Sequence, residues 1–369
     1  MRIAYISLHW PRLRTGSVGK KIQRTINAWR TAGNQAQFFM HTLKYEPEQE
    51  LVPAQVFTYQ ATNKLGLELS RVRAARQLVE AVGTYRPDLI YLRYGIYVYP
   101  IHRLMGIAPV IADVTTNDLI QYEELGWVYS FYNRLTRGIL LGRVKGLVAI
   151  SDELAASPVF AHYHKPTIVI ANGVDLENYQ PLPAPSNTEP HLVYMGTPTA
   201  GFAAHGIDKL LTLAELCPDL RIDVIGYNGP SGNHRIPSNI VFHGYLPPER
   251  YRPLLAGADV ALSSLAFHRV GLEEASPLKS REYLAYGLPM VVPYKDTDLD
   301  DLDYDVFLKI PNREDNVQTH AQAIRDFAYR MRGRRAERSL FASQIDVGFK
   351  EKNRLAFFEQ FVADPHAEI

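Results

Sequence analysis

The sequence predicts an α/β protein made of two similar halves, each built on a parallel sheet, and three observations predict it. Short apolar runs rich in Val, Ile, Leu and Tyr alternate with longer segments of helical period, the pattern of parallel βα units. That alternation breaks near the middle of the chain, at Gln180–Pro190 (QPLPAPSNTEP), and then restarts. The length of 369 residues suits two domains at roughly 150 residues each.

In the first half, strands are expected near Ile3–Ser7, Gln37–His41, Leu89–Leu92, Val110–Asp113, Gly146–Ile150 and Thr167–Ile170. Helices are expected after Gly19, over Leu69–Val82, over Tyr129–Leu141, and from Ser151, an N-cap followed by Asp152 and Glu153. Four prolines and no period make Gln180–Pro190 a linker. Beyond it strands are expected at His191–Met195, Leu220–Ile225, Ile240–His243, Val260–Ser263 and Met290–Val292, and helices at Ile207–Leu216, Pro248–Ala256 and Pro277–Tyr286. Lys350–Val362 has helical period with paired phenylalanines. The expected organisation is therefore a Rossmann-like domain over 1–178, a linker over 179–190, a second such domain over 191–346 and a closing helix in 347–369, with a ligand cleft between the domains.

Composition narrows the function classes. With 46% apolar and 21% charged residues the chain is an ordinary globular one. Its 40 basic and 39 acidic side chains give a net charge of +1, so no overall field favours nucleic acid, and none is expected as a partner. Cys217 is the sole cysteine, which excludes an internal disulfide and suits a reducing cytoplasm. No apolar run approaches the ~20 residues of a membrane span, and Met1–Trp10 is short and polar for a signal peptide. A cytoplasmic protein, at most peripherally bound to a membrane, is expected.

The most informative segment is Glu274–Pro289, EASPLKSREYLAYGLP. Ser276 reads as a helix cap, Pro277 suits the first turn, and Gly287 with Pro289 ends the helix. The free amides of Leu278 and Lys279 then carry the positive end of the helix dipole, a seat for phosphate, and Lys279 adds a full charge. Glu282 lies on the flank of the same helix, some ~7 Å along its axis from Pro277, about the span from a diphosphate to its ribose. A carboxylate there accepts two hydrogen bonds from a vicinal diol. Glu274 precedes the helix on a loop, where it can meet sugar hydroxyls. On helix physics alone, a solvent pair between Lys279 and Glu282 with a loop charge at Glu274 explains the same residues.

Two glutamates with seven residues between them, followed by EYLAYGLPMVV, resemble the donor-site signature of retaining glycosyltransferases of family 4, which have the GT-B architecture. Ile170–Asp175 (IANGVD) is similar to the turn ending that family's first domain, Val193–Gly196 to the strand opening its second, Ile225–Gly229 (IGYNG) to its glycine turn and Phe242–Leu246 (FHGYL) to the segment that reads the base. The resemblance covers nearly the whole chain. It implies catalytic roles for Glu274 and Lys279, with donor contacts from Ser276, Pro277, Leu278, Glu282, Gly196, Gly226, Tyr227, Tyr245 and Leu246. The chain departs from the family after Gly196: Thr197 and His205 stand where an arginine and a lysine are usual, so His205 and Lys209 become candidates for the phosphate contact.

Other signals are weaker. Arg14–Ile22 (RTGSVGKKI) follows the first strand, is neither a Walker A loop nor GxGxxG, and could bring amides near Gly16 and Gly19 to a ligand or form a simple turn. Asn172 and Gly173 read as a structural turn. Asp113–Asp118 ends a strand, and Arg93, Asp118 and Glu124 are candidate acceptor contacts, with a capped helix at Asn117 as the alternative. Tyr129–Lys145 interleaves aromatics with Arg134, Arg137, Arg143 and Lys145, as a helix resting on an anionic bilayer would, though packing on its own sheet is the commoner reason; Arg12, Arg14, Lys20, Lys21 and Arg24 extend that basic surface. The aspartates at 296, 298, 300, 301, 303 and 305 read as a solvated loop, and no metal or other cofactor is expected.

The resemblance thus implies metal-independent transfer of a sugar, with retention, from a nucleoside diphosphate donor to a saccharide or lipid-linked acceptor in glycan assembly. UDP is the expected nucleotide. The alternatives are a sugar-nucleotide epimerase of the same architecture and a non-catalytic nucleotide-sugar-binding protein.

Overall fold

A computed structural model describes residues 1–8, 17–43, 53–196, 203–230 and 235–362. Gly16, Arg12, Arg14 and Thr197 lie outside the described residues. The chain divides into two compact units, Met1–Ala171 with Val347–Ile369, and Asn172–Asp346.

The first unit holds a seven-stranded sheet: β1 (Arg2–Ser7), β2 (Gln35–Thr42), β3 (Ala54–Thr58), β4 (Leu89–Arg93), β5 (Val110–Val114), β6 (Gly146–Ala149) and β7 (Thr167–Val169). The order is β3-β2-β1-β4-β5-β6-β7 with every pairing parallel. Both faces are covered, so the strands are near-continuously apolar. Ala4 and Ile6 join one core with Leu92 and Val110, while Ile3 and Tyr5 join the other with Trp29 and Tyr91. Its helices are α1 (Ser17–Thr31), α2 (Lys64–Tyr85), α3 (Asp118–Glu124), α4 (Trp127–Leu141), α5 (Asp152–Ala156) and α6 (Pro158–Ala161). The α2 helix starts earlier than its period suggested because Asn63 caps it, its side chain accepting from the Gly66 amide at 2.7 Å.

The second unit holds β8 (His191–Met195), β9 (Arg221–Ile225), β10 (Ile240–Phe242), β11 (Val260–Leu262), β12 (Glu274–Ala275), β13 (Met290–Val292), β14 (Lys295–Asp296) and β15 (Phe307–Lys309). Six of them form a parallel sheet ordered β10-β9-β8-β11-β13-β15, while β12 and β14 pair apart from it. The helices are α7 (Ile207–Leu216), α8 (Pro248–Gly257), α9 (Leu278–Ala285), α10 (Asn316–Met331) and α11 (Ala342–Ile345). The last helix, α12 (Val347–Glu359), belongs to the first unit. There Phe358 packs on Trp29 with ring centroids 5.6 Å apart, and Glu351 accepts from the Trp29 indole at 2.8 Å.

Three expectations change. The proline-rich segment is no free linker: Asn187 donates to the Gly257 carbonyl at 2.7 Å, the Leu182 amide bonds Tyr286, and Arg335 and Arg332 hold the Pro183 and Thr188 carbonyls. Prolines lack a donor but keep their carbonyls, and Arg335 uses that of Pro183. The aspartates at 296 and 298 are not a solvated pair. Asp296 is buried, and the fully buried Arg281 grips both, reaching Asp296 Oδ1 and Asp298 Oδ2 at 2.7 Å each. Arg281 also donates to the Asn172 carbonyl at 3.2 Å, so one guanidinium ties α9 to β14 and to the chain at 172. Lastly, α10 is present where no helix was expected, and β3 and β15 where no strand was expected.

Among the described residues no helix is long and apolar enough to cross a membrane.

Removing one partner of a buried ion pair leaves the other charge uncompensated, typically costing about 3–5 kcal/mol. Arg281→Met is therefore expected to lower the unfolding free energy in urea by roughly that amount; a loss under about 1 kcal/mol, the worth of an exposed pair, contradicts the clamp.

Candidate functional site

In the second sheet the strands run parallel, so their carboxyl ends share one edge. From β8 the sheet extends to β9 and β10 on one side and to β11, β13 and β15 on the other. The reversal between β8 and β11 is where such sheets open a crevice for ligands. The α9 helix is moored across that point: the Met195 amide, at the end of β8, donates to the Tyr283 hydroxyl at 2.7 Å, and that hydroxyl lies 3.5 Å from the Leu262 carbonyl of β11.

The start of α9 differs from expectation in one respect. Pro277 occupies the cap position and no side chain caps the helix. Ser276, expected to cap it, is buried and turned away: its hydroxyl accepts from the Asn172 amide at 2.9 Å, while the Asn172 side chain donates to the Ser276 carbonyl at 2.6 Å. The amides of Leu278 and Lys279 at the positive end of the helix are consequently left without a side-chain acceptor among the described residues.

Lys279 follows. The residue is partly exposed, but its ammonium nitrogen is out of solvent and has no hydrogen-bond partner among the described residues. It sits 3.9 Å from the centroid of the Tyr194 ring, and this cation–π contact compensates only part of the lost hydration. Burial pushes its pKa well below the usual lysine range. The Tyr194 hydroxyl bonds Nδ1 of His205. Burial, then the charge of Lys279, pushes the His205 pKa down to about 3, so at neutral pH the imidazole is uncharged and supplies a hydrogen-bonding group rather than a cation. Gly196 makes room for this group, since a Cβ there would lie 2.9 Å from both the His205 ring and the Tyr194 hydroxyl.

Glu282 lies one turn along α9, half-buried, and its Oε1 accepts from Tyr251 of α8 at 2.7 Å. That bond orients the carboxylate and leaves it lone pairs for further donors. Glu274 stands on β12 rather than on an open loop; its carboxylate is buried, with Lys295 Nζ 3.7 Å away. Lys209 is a correction. It is buried, and its ammonium donates to the Arg313 carbonyl at 2.8 Å and to Asn316 at 3.0 Å, which commits it to joining α7 and α10 rather than to an anion.

The loops after β9 and β10 zip together: the Gly226 amide bonds the Gly244 carbonyl at 2.7 Å and the Gly244 amide bonds the Tyr227 carbonyl at 3.0 Å. Gly226 and Gly244 have φ of +96° and +64°, which only glycine adopts without strain. Tyr227 stacks edge-on against Phe242, Leu246 packs on the core, and Tyr245 is exposed.

Of the first-unit candidates, Gly19 lies in the first turn of α1. Arg93 ends β4 with its guanidinium 3.8 Å from Asp113. Glu124 is exposed at the end of α3. Asp118 is a second correction: it is buried, with Arg137 bonding both its oxygens at 2.9 Å, Asn133 at 2.7 Å and Tyr94 at 3.2 Å, so protein donors already occupy its carboxylate. Arg137, expected on a basic surface, is thereby internal.

Tyr194, Tyr251, Asn172 and Arg281 were not foreseen as parts of the site. Each acts on a residue distant in sequence, and only the "SREY" spacing, which sets Arg281 and Tyr283 on faces other than that of Glu282, carried a hint. Among the described residues no three His, Cys, Asp or Glu side chains converge as a metal site.

No family model matches the sequence, and no curated protein matches it. Solved structures share the fold. The lipopolysaccharide outer core galactosyltransferase WaaB superposes with a TM-score of 0.65 at 12% identity, over 98% of this chain and 100% of that one. HepE of Anabaena, solved with UDP and glucose, gives 0.64 at 14% over 97% and 99%. A putative UDP-N-acetylglucosamine 2-epimerase from Listeria monocytogenes gives 0.55 at 12% over 100% and 99%. At these identities the likeness establishes the two-sheet α/β fold of the glycosyltransferases.

A lysine whose folded-state pKa is depressed binds its proton more tightly when unfolded. Its burial therefore costs stability at neutral pH, and the cost fades as pH rises toward the unfolded value near ~10.4. Lys279→Met is expected to raise the melting temperature at pH 7 and to flatten its dependence on pH between 7 and 10. A variant that melts lower at pH 7 means that the ammonium is satisfied where it lies.

Proposed function

We propose that this chain is a glycosyltransferase that takes a sugar from a nucleoside diphosphate donor, by default UDP, and passes it to a hydroxyl of a saccharide or lipid-linked acceptor. The observation that carries the reading is the Lys279 ammonium, drawn out of water beside an uncapped helix N-terminus with no hydrogen-bond partner among the described residues, one turn from an oriented carboxylate. Diphosphate answers the first two features and a ribose diol the third.

In this reading the donor diphosphate lies against the Leu278 and Lys279 amides, with Gly196 giving it close access and neutral His205 donating a hydrogen bond. Glu282, held by Tyr251, receives the ribose hydroxyls, and the backbone around Tyr227, Tyr245 and Leu246 faces the base. Glu274 is restrained by Lys295, so its contribution is to hold β12, from which α9 departs, with sugar contact limited to what that ion pair permits. Arg93, Gly19 and Glu124 remain the acceptor-side candidates.

The reaction breaks the bond from the anomeric carbon to the diphosphate oxygen, which keeps the electron pair, and forms one to the acceptor oxygen. Retention, which the family resemblance implies, is met when the acceptor proton passes to the leaving phosphate itself. Catalysis then consists of orientation and of stabilising the departing charge by Lys279 and the helix end. Binding of the dianion restores the proton affinity of Lys279, so donor binding is coupled to proton uptake.

A second reading has one observation behind it, the epimerase with the same fold. Labelled UDP-sugars incubated with saccharides and a lipid extract separate the two. Label moving into saccharide or lipid supports transfer. Label confined to an altered nucleotide sugar supports the epimerase, and retention of unconverted donor indicates a binding protein. For UDP titrated by calorimetry, Glu282→Ala is expected to weaken binding by roughly 1.5–3 kcal/mol per lost charge-assisted bond, and Lys279→Ala to act mainly on turnover. Unchanged donor affinity in Glu282→Ala rejects the ribose assignment.

A further inference from the structure

The first half of the α4 helix leaves its large apolar side chains in water. At 100° per residue, Asn133, Arg137, Leu140 and Leu141 share the face packed on the first unit, where Asn133 and Arg137 hold Asp118. The opposite stripe, at i, i+4 and i+8, is Trp127, Phe131 and Leu135, and these are 79%, 59% and 66% exposed. Val128 is exposed beside them, and Leu125 precedes them. A surface helix ordinarily buries its apolar stripe and hydrates its polar one; here an internal carboxylate has claimed the polar face. The result is a contiguous aromatic and aliphatic ridge in water, of the kind that marks an interaction surface.

Cations border one flank of this ridge. The Tyr132 hydroxyl donates to the Tyr97 carbonyl at 3.2 Å, linking α4 to the segment carrying Tyr99, His102 and Arg103. Arg76 of α2 lies 5.8 Å from the Tyr99 ring, Arg103 is exposed on the same segment as His102, and burial, then the charges of Arg143 and Arg103, lower the His102 pKa. Arg76 and Arg103 line a cavity of about 310 Å³ with Val79, Pro100 and one acid, Glu80. α4 itself contains no acidic residue. Of the two acids that end α3, Glu123 faces Arg134 at 3.8 Å and Glu124 is exposed.

We propose that this surface docks on an anionic lipid bilayer, with Trp127, Phe131 and Leu135 seated at the acyl boundary and Arg76, Arg103 and Arg143 meeting headgroup phosphates. Apolar bulk crowned with aromatics and flanked by cations is the layout of an interfacial helix, in which area buried and attraction to negative lipid act together. The inference is independent of the donor site, which lies in the other unit.

Flotation of the full chain with vesicles of phosphatidylcholine, or of phosphatidylcholine with phosphatidylglycerol, tests it. The protein is expected to float with the anionic vesicles, more weakly at high salt, and much less with the neutral ones. Trp127→Ser with Phe131→Ser is expected to lower partitioning by roughly tenfold or more, as loss of two interfacial aromatics entails. Arg76→Gln with Arg103→Gln is expected to remove the preference for negative lipid. All four residues are exposed, so melting temperature and UDP affinity should hold, and these controls separate a failure here from a failure of the donor-site reading. Wild-type protein that does not float, or aromatic variants that float as wild type, overturns the proposal. So does a self-associating wild type that the aromatic substitutions convert to monomer, because the ridge is then a contact between copies of the chain.

Discussion

The arrangement of the second unit hangs on the grip of Arg281. A guanidinium with no solvent exposure is expensive, and it is tolerated because two aspartates and a carbonyl accept its hydrogen bonds. The grip decides where α9 begins, since it joins the helix to β14 and to the chain at Asn172, and Asn172 in turn draws Ser276 away from the helix end. With the cap removed and the helix fixed from behind, the first amides have no side-chain acceptor and the Lys279 ammonium has no hydrogen-bond partner among the described residues. Rigid anionic support on one side of the helix thus produces unmet positive character on the other, and the second is what a binding site requires.

How much of this was legible beforehand depended on range in sequence. The parallel sheets could be read because fully buried strands are continuous apolar runs, and Val260–Leu262 and Met290–Val292 show that plainly. The helix bearing Lys279 and Glu282 could be read because its proline and glycine lie within a few residues of its ends. Ser276 was misread because capping preference is local, whereas its partner Asn172 is over a hundred residues away. The first part of the aspartate run failed for the same reason: Asp301, Asp303 and Asp305 are exposed as expected, but composition does not distinguish them from Asp296 and Asp298, and nothing short of the fold says where Arg281 points. Lys209 carries the right charge near the right place, yet its amine is used by the Arg313 carbonyl. Charge can be read from a sequence; commitment cannot.

Buried polar clusters organise the first unit too, with a different outcome. Around Asp118 the demand for hydrogen bonds is met so fully that the helix supplying them, α4, has surrendered its hydrophilic side to the interior. A stripe that would have been core in an ordinary amphipathic helix is left outside. In both units, then, the feature pointing outward is set by what an internal charge demands, and a carboxylate or guanidinium far from any ligand governs the surface that partners meet.

The return of the final helix to the first unit has a consequence for the order in which the molecule is made. Trp29 and Tyr91 are enclosed by Phe358, and Glu351 satisfies the Trp29 indole, so that hydrophobic layer is unfinished until residues 347–359 have left the ribosome. Residues 172–346 are continuous and contain their own sheet, so they are made whole before that. Of the two units, the one begun earlier is therefore completed later, and a nascent chain stalled before residue 347 carries an open aromatic face that a chaperone would have to shield.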